Sequence, residues 1–252
     1  MELKNLKVLI TKPSPAGYNL CALIEQHDGK PTYFPTIEIT PITPPAETDL
    51  NKFKKLIFIS RNAVIHSKQL LENLKNHPKI FAVGPATCDT LKSLAIDQVT
   101  TPDKDFTTQG LLALKELNSI KDEKIAIIKG EGGLDILHDS LKERGAHVKD
   151  IIVYKRSLPK NPNTVALDML REKKIDIIVC TSLEILQNLL FLTRPISLQN
   201  VPLLVVSERI KVEAKKLGFT RIYLANNASQ SVIIAKLIEL KDQLCQAKII
   251  KK

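Results

Sequence analysis

Residues 124–133 read Lys124-Ile125-Ala126-Ile127-Ile128-Lys129-Gly130-Glu131-Gly132-Gly133. An apolar, largely β-branched run stops at glycines and opens onto apolar residues at Leu134, Leu137 and Leu141. That spacing predicts a helix, so the stretch is a strand, a turn and a helix. Gly145, the run Ile151-Ile152-Val153-Tyr154 and Pro159 follow. The same succession of strand, loop, helix, glycine, strand and proline begins at Lys7, with Gly29 and Pro41 as its later members. Continuous apolar strands separated by helices are the pattern of parallel sheets covered on both faces.

Working outward, strands are expected at 7–11, 32–35, 56–60, 80–83, 98–100, 124–129, 151–154, 176–181, 202–207 and 221–225. Amphipathic segments such as Ile233-Leu237-Leu240 lie between most of them. Ten strands suit two α/β units of five. Self-comparison supports a duplication. Leu56-Ile57-Phe58-Ile59-Ser60 resembles Ile177-Ile178-Val179-Cys180-Thr181 about 120 positions later, and Ile80-Phe81-Ala82-Val83-Gly84 resembles Leu203-Leu204-Val205-Val206-Ser207. Thr108-Gln109-Gly110-Leu111 has a weaker echo in Ser229-Gln230-Ser231-Val232. Residues 124–159 echo 7–41, so the repeat is circularly shifted. This predicts a discontinuous domain of 1–34 with 162–252, an inserted domain of 46–150, and paired linker strands at 35–45 and 151–161. Pro35, Pro41, Pro44 and Pro45 mark one crossing, and Pro159 and Pro162 the other. Ligands of open α/β sheets bind beyond the carboxyl ends of strands, so the site is expected in the cleft between the two domains.

Composition narrows the function. Of 252 residues, 44% are hydrophobic and 25% charged, which excludes a fully disordered chain. The net charge is +10, aromatics make up 4%, and Trp is absent. A basic chain suits a polyanionic partner, but it offers few platforms for stacking bases. Cys21, Cys88, Cys180 and Cys245 form no CxxC pair and read as reduced, mostly buried small hydrophobes. His27, His66, His77, His138 and His147 lack metal-ligand spacing. The N-terminal Met1-Glu2-Leu3-Lys4 has no signal-peptide pattern, and no apolar run approaches the length of a membrane span. A soluble, cytoplasmic protein is expected.

Five strand ends could carry chemistry. Lys129-Gly130-Glu131-Gly132-Gly133 is neither a Walker A loop nor a dinucleotide fingerprint. It reads as a plain strand–helix turn or as an anion-contacting loop at a helix N-terminus. In Val83-Gly84-Pro85-Ala86-Thr87, Thr87 either caps the helix locally or offers its hydroxyl to a ligand. Ser60-Arg61-Asn62-Ala63 and Thr181-Ser182 hold equivalent strand ends, as N-caps or ligand contacts. Tyr154 reads as a half-buried strand residue, or as a phenol influenced by Lys155 and Arg156. Glu131 and Asp135 suit the dipole of a first helical turn. No Ser/His/Asp set and no paired carboxylates stand out. Lys248-Ile249-Ile250-Lys251-Lys252 reads as a solvated tail.

Taken in order, the motifs resemble the uroporphyrinogen-III synthase family. They are Val8-Leu9-Ile10-Thr11-Lys12-Pro13, Pro31-Thr32-Tyr33-Phe34-Pro35-Thr36-Ile37-Glu38 and Ile57-Phe58-Ile59-Ser60-Arg61-Asn62-Ala63-Val64. Ala82-Val83-Gly84-Pro85-Ala86-Thr87 and Lys129-Gly130-Glu131-Gly132-Gly133-Leu134-Asp135 come next. Glu143-Arg144-Gly145-Ala146, Val153-Tyr154-Lys155-Arg156 and Val205-Val206-Ser207-Glu208-Arg209 complete the series. The resemblance implies two flavodoxin-like parallel-sheet domains of similar topology, joined by a two-stranded β ladder with a cleft between them. It further implies a cofactor-free, metal-free lyase that cyclises hydroxymethylbilane to uroporphyrinogen III. Water is lost, and ring D is inverted through a spirocyclic intermediate.

On this resemblance Tyr154 helps the hydroxyl leave, while Thr87, Ser60 and Ser182 line the cleft. Gly84, Lys129, Gly130 and Ser207 complete the expected substrate contacts. The family often carries a Gly-Pro-Thr-Thr-like turn where this chain has Ser207-Glu208-Arg209-Ile210, which leaves Ser207 or Arg209 in that place. The implied partner is one small molecule, a linear tetrapyrrole octacarboxylate, with no nucleic acid and no membrane. Nothing in the sequence demands more than a monomer. The alternative is a non-catalytic two-domain protein that binds small anions.

Overall fold

The computed structural model describes residues 2–133 and 135–249, the side chains of 245–249 excepted. Leu134, the thiol of Cys245 and the last residues of the tail therefore lie outside the described residues. In chain order the first elements are β1 (Lys7–Ile10), α1 (Ala16–Gln26), β2 (Lys30–Tyr33), β3 (Glu38–Pro41), β4 (Lys55–Phe58), α2 (Arg61–Ile65) and α3 (Lys68–Glu72). Next are β5 (Lys79–Ala82), α4 (Pro85–Lys92), β6 (Val99–Thr100), α5 (Thr108–Leu112), β7 (Lys124–Gly130), α6 (Ile136–Glu143) and β8 (His147–Ser157). The last are α7 (Thr164–Arg171), β9 (Ile177–Cys180), α8 (Leu183–Leu192), β10 (Leu203–Val205), α9 (Glu208–Lys216), β11 (Ile222–Leu224) and α10 (Gln230–Ile249).

The chain divides into two units, Met1–Ile39 with Ser157–Lys252, and Thr40–Arg156. The first unit holds a five-stranded sheet in the order β2-β1-β9-β10-β11, and its four neighbouring pairs are all parallel. Val8, Leu9 and Ile10 of β1 and Ile177, Ile178 and Cys180 of β9 are fully buried. Leu20 and Ile24 of α1 and Ile233 and Leu237 of α10 join the same core. Burial of every residue along a strand is what a parallel sheet covered on both faces requires. Burial pushes the Cys180 thiol up to about 12, so it stays a neutral, inert small hydrophobe.

The second unit holds six strands in the order β3-β8-β7-β4-β5-β6. Its core gathers Ile57, Phe81, Ile125 and Ile127 from the strands with Leu111, Leu137 and Leu141 from the helices. Setting β3 aside, β8-β7-β4-β5-β6 follows the flavodoxin-like order 2-1-3-4-5 once β7 and β8 count as first and second. The order β2-β1-β9-β10-β11 is the same. Strands β7 and β8 thus take the places that β1 and β2 hold in the other sheet, as the circularly shifted echo of 7–41 in 124–159 requires.

Strand β3, within the stretch 35–45, forms beside β8, and the amide of Ile42 donates to Val153 O at 2.9 Å. Two strands differ most from the sequence reading in their bounds. Strand β2 runs from Lys30 to Tyr33 rather than over 32–35. Strand β8 begins at His147 rather than Ile151 and runs eleven residues, because alternating polar residues continue its pairing with β7. Helix starts are set largely by side-chain caps. Ser60, Thr107, Asn163, Ser182 and Ser207 each accept the backbone N–H three residues on.

Candidate functional site

In the second unit the strand order reverses between β7 and β4. Strands β4, β5, β7 and β8 pair in parallel, so their carboxyl ends share one edge. Ligands of open α/β sheets bind at such a reversal. Tyr154, Ser60, Gly130 and Gly84 lie along this edge.

Tyr154 reaches the edge through an irregularity. Lys129 is opposite Ile152, but Gly130 is opposite Tyr154, so Val153 is an extra residue in β8. A bulge of this kind re-aims the side chains that follow it. The Glu131 amide then donates to Tyr154 O at 2.8 Å. A Cβ at position 130 would fall 2.5 Å from Tyr154 Cζ and 2.9 Å from its Oη. Only glycine lets the phenol lie against β7 here. Tyr154 as a whole is 5% exposed.

Ser60 Oγ and Tyr154 Oη are 3.1 Å apart. Ser60 is also the N-cap of α2, accepting the Ala63 N–H at 3.1 Å. The two readings of Ser60, cap and site residue, therefore hold together. His66, just past α2, places its ring 5.8 Å from the Tyr154 ring, tilted by 35°. Burial pushes the His66 pKa down and favours neutral imidazole. Histidine spacing tested only for metals misses His66. Its signal is a position six residues beyond the Ser60 cap.

Gly84 ends the neighbouring strand with extended backbone, and a Cβ there would meet Phe106 Cβ at 3.0 Å. Phe106 is 48% exposed beside it. Thr87 sits 4% exposed in the first turn of α4, with its amide on Gly84 O. Its hydroxyl makes no side-chain hydrogen bond among the described residues, so Thr87 does not cap α4. Gly132 and Gly133 hold φ of 74° and 95°, and a Cβ at either would meet nothing within 4 Å.

Lys129 is engaged within the protein. Its buried ammonium lies 3.0 Å from Asp150 Oδ2 and 3.3 Å from Asp135 Oδ1. His138 Nδ1 lies 2.9 Å from the other Asp150 oxygen. Burial alone would push the Lys129 pKa down, but the two carboxylates outweigh it and raise it. The sequence clue to this network is a charge inside an otherwise apolar strand.

In the first unit, Ser182 follows β9 and accepts the Ile185 N–H at 3.1 Å. Ser207 follows β10 and accepts the Ile210 N–H at 3.4 Å. Both are N-caps at the positions that Ser60 and Gly84 occupy in the other sheet. Arg209 is exposed on α9. No group of three or more His, Cys, Asp or Glu among the described residues could hold a metal ion. Among them, too, no helix is long and apolar enough to cross a membrane.

Comparison with known proteins follows the same line. The family model described as uroporphyrinogen-III synthase HemD matches residues 19–235. Uroporphyrinogen-III synthase of Escherichia coli is 29% identical over 250 residues, covering 92% of this chain and 100% of that protein. Its namesake from Chlorobaculum parvum is 30% identical over 183 residues, covering 69% of this chain and 74% of its own length. Among solved structures, uroporphyrinogen-III synthetase from Helicobacter pylori superposes with a TM-score of 0.60 at 20% identity, covering 94% and 99% of the two chains. A mutant uroporphyrinogen III synthase from Thermus thermophilus gives a TM-score of 0.57 at 16% identity, covering 96% and 99%. These structures share the two-domain α/β fold.

Proposed function

Because this chain belongs to the uroporphyrinogen-III synthase family, we propose that it cyclises hydroxymethylbilane to uroporphyrinogen III in tetrapyrrole biosynthesis, with Tyr154 as the acid that helps the hydroxyl leave. The observation that carries the assignment to Tyr154 is its seat. A bulge turns a phenol to the carboxyl edge where the strand order reverses, over the glycine that admits it.

The chemistry asks little of a side chain. The pyrrole nitrogen lone pair expels the hydroxyl of the substrate's hydroxymethyl group. A proton from Tyr154 Oη lets it depart as water and leaves an azafulvene cation on the ring that carried it, at the opposite end from ring D. The substituted α-carbon of ring D attacks the exocyclic methylene of that azafulvene and gives the spirocyclic intermediate. Fragmentation and reclosure then invert the ring. Rearomatisation releases one proton, which restores the phenol, so the net change is loss of one water. General-acid help of this kind is worth about 10²- to 10⁴-fold. Most of the barrier is orientation of a flexible chain. Thr87, whose hydroxyl is spent on no cap, Gly84 with Phe106 beside it, and the open turn at Gly132 and Gly133 suit contacts to the substrate. Ser182 and Ser207 offer hydroxyls at the matching edge of the other sheet. The net charge of +10 favours encounter with an octacarboxylate. On this reading the partner is that small molecule alone, with neither cofactor nor nucleic acid.

The test is turnover of freshly made hydroxymethylbilane by the wild type and by Tyr154→Phe. The wild type is expected to form the type III isomer. Tyr154→Phe is expected to do so about 100-fold more slowly, while unfolding within ~1 kcal/mol of the wild type. Undiminished turnover in Tyr154→Phe would overturn the role of the phenol.

A further inference from the structure

We propose that Ser60 is a positioning residue that sets the direction of the proton on Tyr154: Ser60 Oγ–H donates to Tyr154 Oη, which leaves the phenolic proton to point at the departing hydroxyl. This rests on Tyr154 being the acid. It adds a role to a residue that the family resemblance makes a substrate contact.

The argument runs from the backbone outward. Ser60 Oγ accepts the Ala63 N–H at 3.1 Å, because a serine with extended backbone at the start of α2 is an N-cap. The same oxygen lies 3.1 Å from Tyr154 Oη. A hydroxyl has one proton to give and two lone pairs. With one lone pair occupied by an amide, Ser60 keeps one lone pair and its proton, and giving that proton to Tyr154 Oη is the arrangement that leaves the phenolic proton for the substrate. Accepting an N–H also polarises that O–H and makes it a stronger donor. Among the described residues neither hydroxyl has a further side-chain partner. If Tyr154 donated to Ser60 instead, the phenolic proton would be spent on the serine rather than on the substrate.

Gly130 and the bulge make the geometry specific. The phenol is confined by β7 on the side where any Cβ would collide with it, so Oη cannot turn away from Ser60 freely. The neighbouring ionisable groups are few. His66 from the end of α2 presents its ring at 5.8 Å, and Glu131, Lys155 and Arg156 flank the site along β7 and β8. Those four are present whether or not residue 60 can donate. As the carbon–oxygen bond of the substrate breaks, the Tyr154 proton moves to the leaving oxygen and negative charge grows on Oη. A donated hydrogen bond from Ser60 stabilises that charge, so it acts in the transition state more than in the ground state.

Three substitutions separate this role from capping. Asp at position 60 still accepts the Ala63 N–H but has no proton to give, Ala does neither, and Thr does both. The expectation is that Ser60→Asp keeps the melting temperature near that of the wild type yet lowers kcat about 10-fold with KM little changed. Ser60→Ala is expected to lower kcat similarly and to move the alkaline limb of the kcat profile to higher pH, while Ser60→Thr recovers most of the rate. In the Tyr154→Phe background, Ser60→Ala is expected to lower kcat no further. Ser60→Asp with wild-type kcat, or the same loss from Ser60→Ala with and without the phenol, would overturn the proposal. Failure of the premise looks different: Tyr154→Phe would then itself turn over normally.

Discussion

Tyr154 stands opposite Gly130 because β8 carries one residue, Val153, that β7 does not match. Without the bulge, Gly130 would face Val153 and the phenol would be carried away from this position. The alternation of a strand places neighbouring residues on opposite faces. One inserted residue therefore decides whether the edge of this sheet presents a phenol or an aliphatic side chain.

Gly130→Ala puts a methyl group 2.5 Å from the Tyr154 ring, so either the ring or β7 must move. We expect turnover to fall at least about 10-fold through misplacement of the phenol. The accompanying loss of stability should be about 1–3 kcal/mol. Kinetics together with urea unfolding read both. Wild-type turnover in this variant would show that the position of the ring does not matter.

The buried Lys129 ammonium faces Asp150 and Asp135. Asp150→Asn removes the nearer charge and is expected to cost about 3 kcal/mol, in the range for breaking a buried pair. The Lys129 pKa is raised in the folded protein, so its contribution is full below the ordinary lysine value of 10.5 and lost as pH rises through the folded value. The gap in unfolding free energy between wild type and Lys129→Met should stay constant from neutral pH and narrow only in strong alkali.

At the other end of β7, Glu123 joins Lys55, buried in β4, and Lys54. Burial would raise the Glu123 pKa, but the hydrogen bonds and charges of Lys55 and Lys54 win and lower it. Its contribution is therefore present above the ordinary value of 4.5 and lost as pH falls through the depressed folded value. Unfolding curves for Glu123→Gln and the wild type should differ at pH 7 and converge in acid. A gap that persists undiminished in acid would rule out the carboxylate as its source.

Thr87 spends its hydroxyl on no cap, so Thr87→Ala should change unfolding free energy by only about 1 kcal/mol, the effect of one buried methyl. Turnover should fall several-fold, because the hydroxyl is assigned to substrate. Unchanged turnover with altered stability would make it a packing residue.

Most of the strands were legible because they are apolar runs, and the circular shift was legible because strand–helix units recur in order. Two features were not. The bulge at Val153 is a property of register between two strands and leaves no mark in either one alone. The neutralisation of Lys129 by Asp150 joins residues that only the β7–β8 pairing brings together. Within the candidate site, Ser60, Gly130 and Tyr154 were each visible as strand-end residues. That they meet, with His66 beside them, depends on the same non-local pairing.

The most direct measurement is the isomer composition of the product when purified enzyme meets freshly made hydroxymethylbilane, followed over time at several enzyme concentrations. The account predicts that uroporphyrinogen III forms at a rate proportional to enzyme and outruns spontaneous closure to the type I isomer. Type I alone, appearing at a rate independent of enzyme, would contradict it.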